Sequence, residues 1–418
     1  MQSIRGTRDI LPPESDRWLW LEERCRCVLG RFGYSEIRGP LFEHTELFQK
    51  GTGEGTDIVL KQMYTFQDRA GRSLTLRPEG TPSVARAVIE RGLLKRAKVL
   101  KLYYIGPMFR YDRPQAGRYR QFDQLGAELV GVPGVEGDAE SVHLHVMLLR
   151  ELGLSQFTVK VNSVGCSKCR PTYSRLMRER LSDELENLCE DCRERFERNP
   201  LRVLDCKVKG CKEVAQGVPP ILESLCDECR SQFEEFKARL GLIGLSFQED
   251  PGLVRGLDYY TKAAFEIHHD LLGAQSALGG GGRYDGLIEL YGGPPTPAVG
   301  FAAGLDRILL SVEKEEVAVP PALPVEVYVA SVSQAGREKC FVLASSLREK
   351  FRVEVDLLGR SLQAQMKAAN SVATRFSVII GEEELSSGIY TVRDMESGEQ
   401  EKVPEQDLRE YLRRRLGL

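Results

Sequence analysis

Between residues 14 and 31 the apolar positions Trp18, Leu21, Cys25, Val28 and Leu29 fall three or four apart, the spacing of one buried face of an α-helix. "RFGYSEIRGPLFE" then reads as extended chain broken at Pro40. "KQMYTFQDRAGRSLTLRPEGT" alternates as two strands around a turn at Ala70-Gly71-Arg72, the second ending at Arg77. "PSVARAVIERGLL" returns to the helical period, with a proline near its start. "KVLKLYYIGPMFRYD" and "YRQFDQLGAELVG" predict two more strands flanking a loop. Strands with helices between them point to an antiparallel sheet covered on one side. From 166 to 240 the pattern turns mainly helical and highly charged. Strand signals resume at "SFQEDPGLVRGLDYYTKAAFEIHH" and run through "GAQSALGGGGRYDGL", before a helix at "FAAGLDRILLSV". "VAVPPALPV" carries Pro320, Pro321 and Pro324 and reads as a semi-rigid linker. Beyond it strands and helices alternate in an α/β manner, closing on a hairpin at Ser397-Gly398 and an arginine-rich last helix.

A chain of 418 residues with this punctuation implies two to four domains. Its 42% hydrophobic and 28% charged residues are ordinary for a globular protein. No apolar run approaches the ~18 residues of a membrane span, and "MQSIRGTRDILPPE" lacks an apolar signal core. A cytoplasmic protein is expected, its eleven cysteines reduced or metal-bound rather than paired as disulfides. The formal charge of −3 argues against indiscriminate nucleic-acid binding and leaves room for a local basic surface.

Such a surface is present in "FRYDRPQAGRYRQFDQ", where Arg110, Arg113, Arg118 and Arg120 crowd together. Guanidinium forks suit phosphate and carboxylate oxygens. Glu79 and Thr81 sit where a strand breaks at Pro78, and "VRGLDYYT" offers Arg255, Tyr259 and Tyr260. The four glycines of "LGGGGRYDGL" mark either close approach of backbone to a ligand or a tight bend. No Walker-type phosphate loop is present. Cys166-x2-Cys169, Cys189-x2-Cys192, Cys206-x4-Cys211 and Cys226-x2-Cys229 each let two thiolates meet one metal. The eight thiolates would fill two structural zinc sites, with pairing undetermined; reduced thiols packed in a helical insertion are the alternative.

Together these stretches resemble the class II aminoacyl-tRNA synthetases, and among them the histidyl-tRNA synthetases. "FGYSEIRGPLFE", "GPMFRYDRPQAGRYRQFDQLGAE" and "AVGFAAGLDRI" are similar to the three class motifs. "RGLDYYT" and "GGGGRYDGL" resemble the two histidine-specific peptides, and the opening "IRGTRDILPPE" also fits. The resemblance implies an α+β catalytic domain on an antiparallel sheet, a mainly helical insertion and a C-terminal α/β anticodon-binding domain. Boundaries are expected at 1–165 (catalytic, first part), 166–243 (insertion), 244–316 (catalytic, second part), 317–323 (linker) and 324–418 (anticodon-binding). It implies ATP with Mg²⁺, L-histidine and tRNA(His) as substrates, and a homodimer without a membrane. Arg110 and Arg255 are the implied catalytic cations, with Arg110, Arg118 and Arg307 on ATP. Histidine would be held by Glu79, Gly80, Thr81, Gln124, Glu128, Arg255, Tyr259, Tyr260 and Tyr284, its imidazole between Glu128 and Tyr260. Asp112 and Asp123 depart from the family pattern, which has glutamate and histidine there. The rival reading is a synthetase-like regulatory subunit of ATP phosphoribosyltransferase, against which the C-terminal α/β segment and the retained arginines count.

Overall fold

Strand Gln121–Val130 sets the plan of the N-terminal half. Leu125, Ala127 and Leu129 point into a large apolar core, so the alternating residues Gln124, Gly126 and Glu128 face the opposite side of the sheet. The computed structural model describes residues 1–53, 55–320, 325–331 and 333–418. They form two compact units, Met1–Val319 and Pro320–Leu418. Linker residues 321–323 and residue 324, where the C-terminal domain was expected to start, lie outside the described residues.

The first unit is built on eight strands in the order Ser35–Glu36, Leu100–Phe109, Gln121–Val130, Ala298–Gly304, Ala277–Arg283, Thr261–His269, Phe157–Ser163, Gln248–Glu249. Its interior is antiparallel, as the sequence pattern implies, but both edge strands pair in parallel. Helices Glu14–Arg31, Val135–Glu151, Asp227–Leu242 and Leu305–Lys314 cover one face, contributing Leu21, Leu148, Phe236 and Ile308 to its core. The apolar positions of the first helix are those its period predicted. On the other face a smaller cluster, including Val84, Val88, Tyr104 and Met108, packs under helix Thr81–Glu90. The rest of that face is left to polar side chains.

The four glycines form neither a bend nor a loop. They lie inside strand Ala277–Arg283, bonded to a neighbour on each side, with a register irregularity at Gly282/Arg283. A third strand, Phe42–His44, joins the expected pair Tyr64–Gln67 and Ser73–Leu76 in a separate small sheet. Between residues 166 and 243, helices Cys169–Leu181, Glu190–Arg198 and Lys209–Gln216 pack around their own core, which takes in eight buried or half-buried cysteines. The final helix of this segment, Asp227–Leu242, buries Phe233, Phe236 and Leu240 in the main core and so roots the insertion.

The second unit has a five-stranded sheet in the order Val353–Val355, Val327–Ser331, Phe376–Ile380, Ile389–Asp394, Gln400–Pro404. The first three strands are parallel, joined by helices Gln334–Leu347 and Leu362–Ser371, and the last three form antiparallel pairs. The hairpin turn expected at Ser397-Gly398 is present, with Gly398 at a φ of +77°, where glycine alone is unstrained.

Candidate functional site

The polar face of the eight-stranded sheet carries a pocket of acids and phenols. Glu128, fully buried, accepts from the Thr81 hydroxyl at 2.6 Å and from the Tyr284 hydroxyl at 2.5 Å. Glu79 accepts from Thr52 at 2.6 Å and from Tyr259 at 2.8 Å. The Tyr104 hydroxyl donates to Gln124 at 3.2 Å. The Tyr259 ring lies 4.7 Å from Tyr260 and 5.7 Å from Tyr284, centre to centre. Burial pushes the Glu128 carboxyl up to about 8, and burial also raises Glu79. The pocket is thus lined by carboxyls whose burial disfavours ionisation.

Glycines make room for these side chains. A Cβ on Gly80 or Gly126 would lie 2.2 Å from the Tyr104 ring, and one on Gly300 would lie 2.0 Å from Glu128 Oε2. Gly280 and Gly282 do the same for Arg255 Nη1 and Tyr260, at 2.8 and 3.1 Å. This close approach is the physical reason for a glycine-rich strand in the middle of a sheet. Gly80 therefore belongs to the pocket through its missing side chain.

Beside the pocket lie the arginines. Arg255 forms an ion pair with Glu266 and stands over the Tyr260 ring at 5.3 Å. Burial works against its charge, but Glu266 and then Tyr260 outweigh this and hold its pKa up. Glu266 is in turn bonded to His268 Nε2 at 2.9 Å, and His268 Nδ1 meets Ser276 at 2.9 Å. Arg110 donates to the Pro78 carbonyl at 2.8 Å, and Arg307 to the Ala277 and Gly117 carbonyls at 2.8 and 3.2 Å. Among the described residues neither has an acidic partner at ion-pair distance. Burial lowers both pKa values, and the positive charges of Arg118 and Arg110 lower Arg307 further. Cations held near one another without counter-charges attract an anion. Arg118 is held by Asp112 at 2.7 Å, which gives that aspartate a clear local task.

The structure brings together all the residues expected to contact histidine and ATP. Tyr284 bonds Glu128, and Tyr260 packs under Arg255. Arg120 stacks on Tyr111 at 3.9 Å and is structural, whereas Arg113 lines an open cleft with Asp112, Pro114, Gln115 and Arg118. Asp123 lies beside Asp306; burial, followed by that neighbouring charge, pushes it up to about 6. His269 is buried and bonded to Glu315 at 2.8 Å, a structural histidine.

Sequence reasoning missed Glu266, His268, Thr52, Tyr104 and His145. The alternation of "TKAAFEIHH" puts Ala264, Glu266 and His268 on the pocket face, which was the available signal. His145 is buried, stacked on Phe301 at 4.5 Å, with neither ring nitrogen partnered. Burial and then the Arg255 charge push its pKa down to about 3, so it stays neutral.

The loop carrying Arg255 is gripped by the insertion. Arg202 donates to the Gly256 carbonyl at 2.7 Å, Arg170 to the Asp258 carbonyl at 3.3 Å, and Asn199 to Asp258 Oδ1 at 3.1 Å. Within the insertion the eight cysteines fall into two groups, Cys166, Cys169, Cys226, Cys229 and Cys189, Cys192, Cys206, Cys211.

Comparison with known proteins agrees with this geometry. Residues 6–308 match the family model for histidyl-tRNA synthetase, and residues 326–415 match that for an anticodon binding domain. The histidine–tRNA ligase of Desulforamulus reducens is 51% identical over 412 residues, covering 98% of both chains. The crystal structure of the apo histidyl-tRNA synthetase of S. aureus superposes with a TM-score of 0.84 at 34% identity, covering 99% of each chain. A chain from Bacillus halodurans described as an ATP phosphoribosyltransferase regulatory subunit/histidyl-tRNA synthetase shares the fold, with a TM-score of 0.64 at 22% identity over 91% of this chain. With half of its residues shared along the full length, and both models matched in order, the chain belongs to the histidyl-tRNA synthetase family.

Proposed function

We propose that the chain is a histidine–tRNA ligase that activates L-histidine with ATP and transfers it to the 3′ end of tRNA(His). The carrying observation is the junction of the acid- and phenol-lined pocket with Arg110 and Arg307, cations that have no acidic partner among the described residues. In the first step a histidine carboxylate oxygen attacks the α-phosphorus of ATP and pyrophosphate leaves. Negative charge builds on the α-phosphoryl oxygens, where Arg110 and Arg255 stand as fixed cations that need little reorganisation. Arg118 and Arg307 take the outer phosphates, and Mg²⁺ enters as the metal partner of ATP. In the second step a hydroxyl of the terminal tRNA ribose attacks the histidyl carbonyl, and AMP leaves.

Histidine is selected by its two ends. Its ammonium group meets Glu79, Thr81 and Gln124, and its imidazole meets Glu128 with the phenols of Tyr259, Tyr260 and Tyr284 around it. An amino acid without a matching polar ring forgoes the hydrogen bond to Glu128 while still desolvating the carboxyl, at a cost of ~1–3 kcal/mol. ATP–pyrophosphate exchange measured with each of the twenty amino acids tests this: histidine alone should support it, and exchange driven by another amino acid would defeat the reading.

Residues 324–418 are read as the unit that grips the tRNA anticodon, following the family model they match. We also infer a homodimer. The segment matching the first class motif contains the exposed Leu41 and Phe42, and Phe42 meets the exposed Phe66 edge-on at 6.3 Å, an apolar surface suited to a partner. A monomer mass by light scattering at micromolar concentration would refute this. No helix among the described residues is long and apolar enough to cross a membrane, in keeping with a cytoplasmic enzyme. Zinc in the insertion completes the proposal.

A further inference from the structure

The eight insertion cysteines come from four sequence pairs, and spacing alone permits several ways of combining them. The fold selects one. Cys166 and Cys169 meet Cys226 and Cys229 at the root of the insertion, while Cys189 and Cys192 meet Cys206 and Cys211 further out. The second set is nested inside the first in sequence.

Within each set the sulfur atoms lie within 4.8 Å of one another. Cys166 and Cys169 are 3.7 Å apart, Cys166 and Cys226 4.0 Å, and Cys189 and Cys206 3.9 Å. A disulfide bond is ~2.05 Å long, so these are not bonded pairs. Four sulfurs at ~2.3 Å from a central tetrahedral ion stand ~3.8 Å apart, which is the spacing seen. The sets are too tight to enclose a cluster of several irons with bridging sulfides. They fit one ion each.

The surroundings favour thiolates. Backbone N–H groups point at sulfur from Lys168 to Cys166 at 3.4 Å, Cys226 to Cys169 at 3.2 Å and Cys189 to Cys211 at 3.2 Å. Helix Glu190–Arg198 is capped by Cys189, helix Asp227–Leu242 by Cys226, and helix Cys169–Leu181 begins on its cysteine. Each of these helix starts turns its partial positive charge toward the sulfurs. Thiols have no need of such partners, whereas an anionic tetrathiolate does. Zinc, which accepts four thiolates tetrahedrally and resists redox change, is the ion this donor set suits.

We propose that the insertion holds two structural zinc ions, one in Cys166–Cys169–Cys226–Cys229 and one in Cys189–Cys192–Cys206–Cys211, and that the second braces the loop of Arg255. This rests on the zinc component of the function proposed above and adds its pairing and its task. Cys192 and Cys206 flank the segment that contains Arg195, Asn199 and Arg202. Asn199 and Arg202 hold Asp258 and Gly256, and Arg195 holds Asp57 at 2.6 Å. The ion at this set closes the segment into a short ring whose tip grips the catalytic loop.

Elemental analysis of the full-length protein, purified without added metal, tests the first half. Two zinc ions per chain are expected; iron in their place, or a folded protein with no metal, overturns the proposal. Serine variants test the pairing. C166S/C229S should retain one zinc and C189S/C211S the other, whereas C166S/C211S should lose both; loss of both ions from C166S/C229S would overturn the assignment. Where a variant fails to fold, alkylation mapping of the wild-type protein during stepwise chelation replaces it. Thiols should become reactive in the two stated groups of four, and any other grouping overturns the pairing. For the brace, C192S should lower kcat of histidine-dependent exchange at least tenfold with Cys166-set zinc retained, and R202K should recover more activity than R202A. Unchanged kcat in C192S overturns the brace while leaving the pairing result intact. Neither outcome bears on which amino acid is activated, which the twenty-amino-acid exchange assay decides separately.

Discussion

Replacing Glu128 by glutamine keeps the shape of the side chain and, like the protonated acid, leaves one oxygen to accept and one group to donate toward the Thr81 and Tyr284 hydroxyls, while removing its ability to ionise. The carboxyl is fully buried, and its pKa stands at about 8 against an ordinary 4.5. At ~1.4 kcal/mol per pH unit, that difference amounts to about 5 kcal/mol between the charged and neutral forms. Between pH 4.5 and 8 the folded protein keeps a proton that the unfolded chain has released. The unfolded state therefore binds fewer protons, and this group makes stability fall as pH rises through that window. Glu128→Gln should be close to neutral at pH 4.5 and should stabilise the free enzyme by up to about 5 kcal/mol at pH 8. Urea unfolding of both proteins across this range measures the difference. Infrared difference spectra between them should show a protonated carboxyl band at pH 6 that fades above pH 9. Histidine binding moves the other way: loss of a hydrogen bond to a charged partner costs ~1.5–3 kcal/mol, so the Kd for histidine should rise ~10- to 150-fold. A carboxylate band at pH 6, together with parallel pH profiles of stability, would refute the argument.

Arg255→Ala should reduce histidine-dependent pyrophosphate exchange by ~10²–10³ or more with the fold retained, because a fixed cation at the developing charge is worth several kcal/mol; wild-type exchange by the variant removes Arg255 from catalysis. Gly300→Ala places a Cβ 2.0 Å from Glu128 Oε2 and 2.6 Å from the Ala127 carbonyl. It should cost ~1–3 kcal/mol of stability and raise the KM for histidine strongly, and a variant with unchanged KM would contradict the role given to Gly300 in making room for Glu128. A chain ending at Val319 should show a much higher KM for tRNA with pyrophosphate exchange within about tenfold of wild type, provided light scattering finds its mass per assembly scaled as expected. An unchanged KM for tRNA would count against anticodon recognition by the second unit.

Periodic segments were legible in the sequence because a single face is buried. The first helix buries the five residues its spacing marks, and the alternation after the linker is the α/β unit observed. Legibility failed where local pattern and long-range packing conflict. Glycine is a poor strand residue by itself, so the run at 279–282 left a bend and a close approach equally open; only Arg255 and Tyr260 arriving at Gly280 and Gly282, and His145 and Phe301 at Gly279 and Gly281, explain the bare backbone. The arginines and acids of the pocket were found through motif resemblance, yet Glu266 was not, since its partner Arg255 lies across a loop whose course no periodicity encodes. The hydroxyl that meets Glu128 was not legible either: Tyr259, Tyr260 and Tyr284 are alike as residue types, and only the backbone decides which one reaches the carboxylate. Cysteine pairing was illegible because the root set joins positions 166 and 169 to 226 and 229 around the other set.

The strand order has a consequence for how the protein is made. Gln121–Val130 finds its second neighbour, Ala298–Gly304, only after the insertion and the glycine-rich strand have been synthesised. At ~5–20 residues per second, the ribosome leaves that edge, with Glu128 on it, unpaired for about ten seconds or more. An open edge of this length is a template for pairing with other nascent chains. The intervening segment has its own core and can settle first, keeping the two halves of the sheet tethered until the last strand arrives. Closure of the sheet and completion of the pocket are then one event, late in synthesis, so a chain truncated before Gly304 should emerge as an aggregation-prone species without a histidine site.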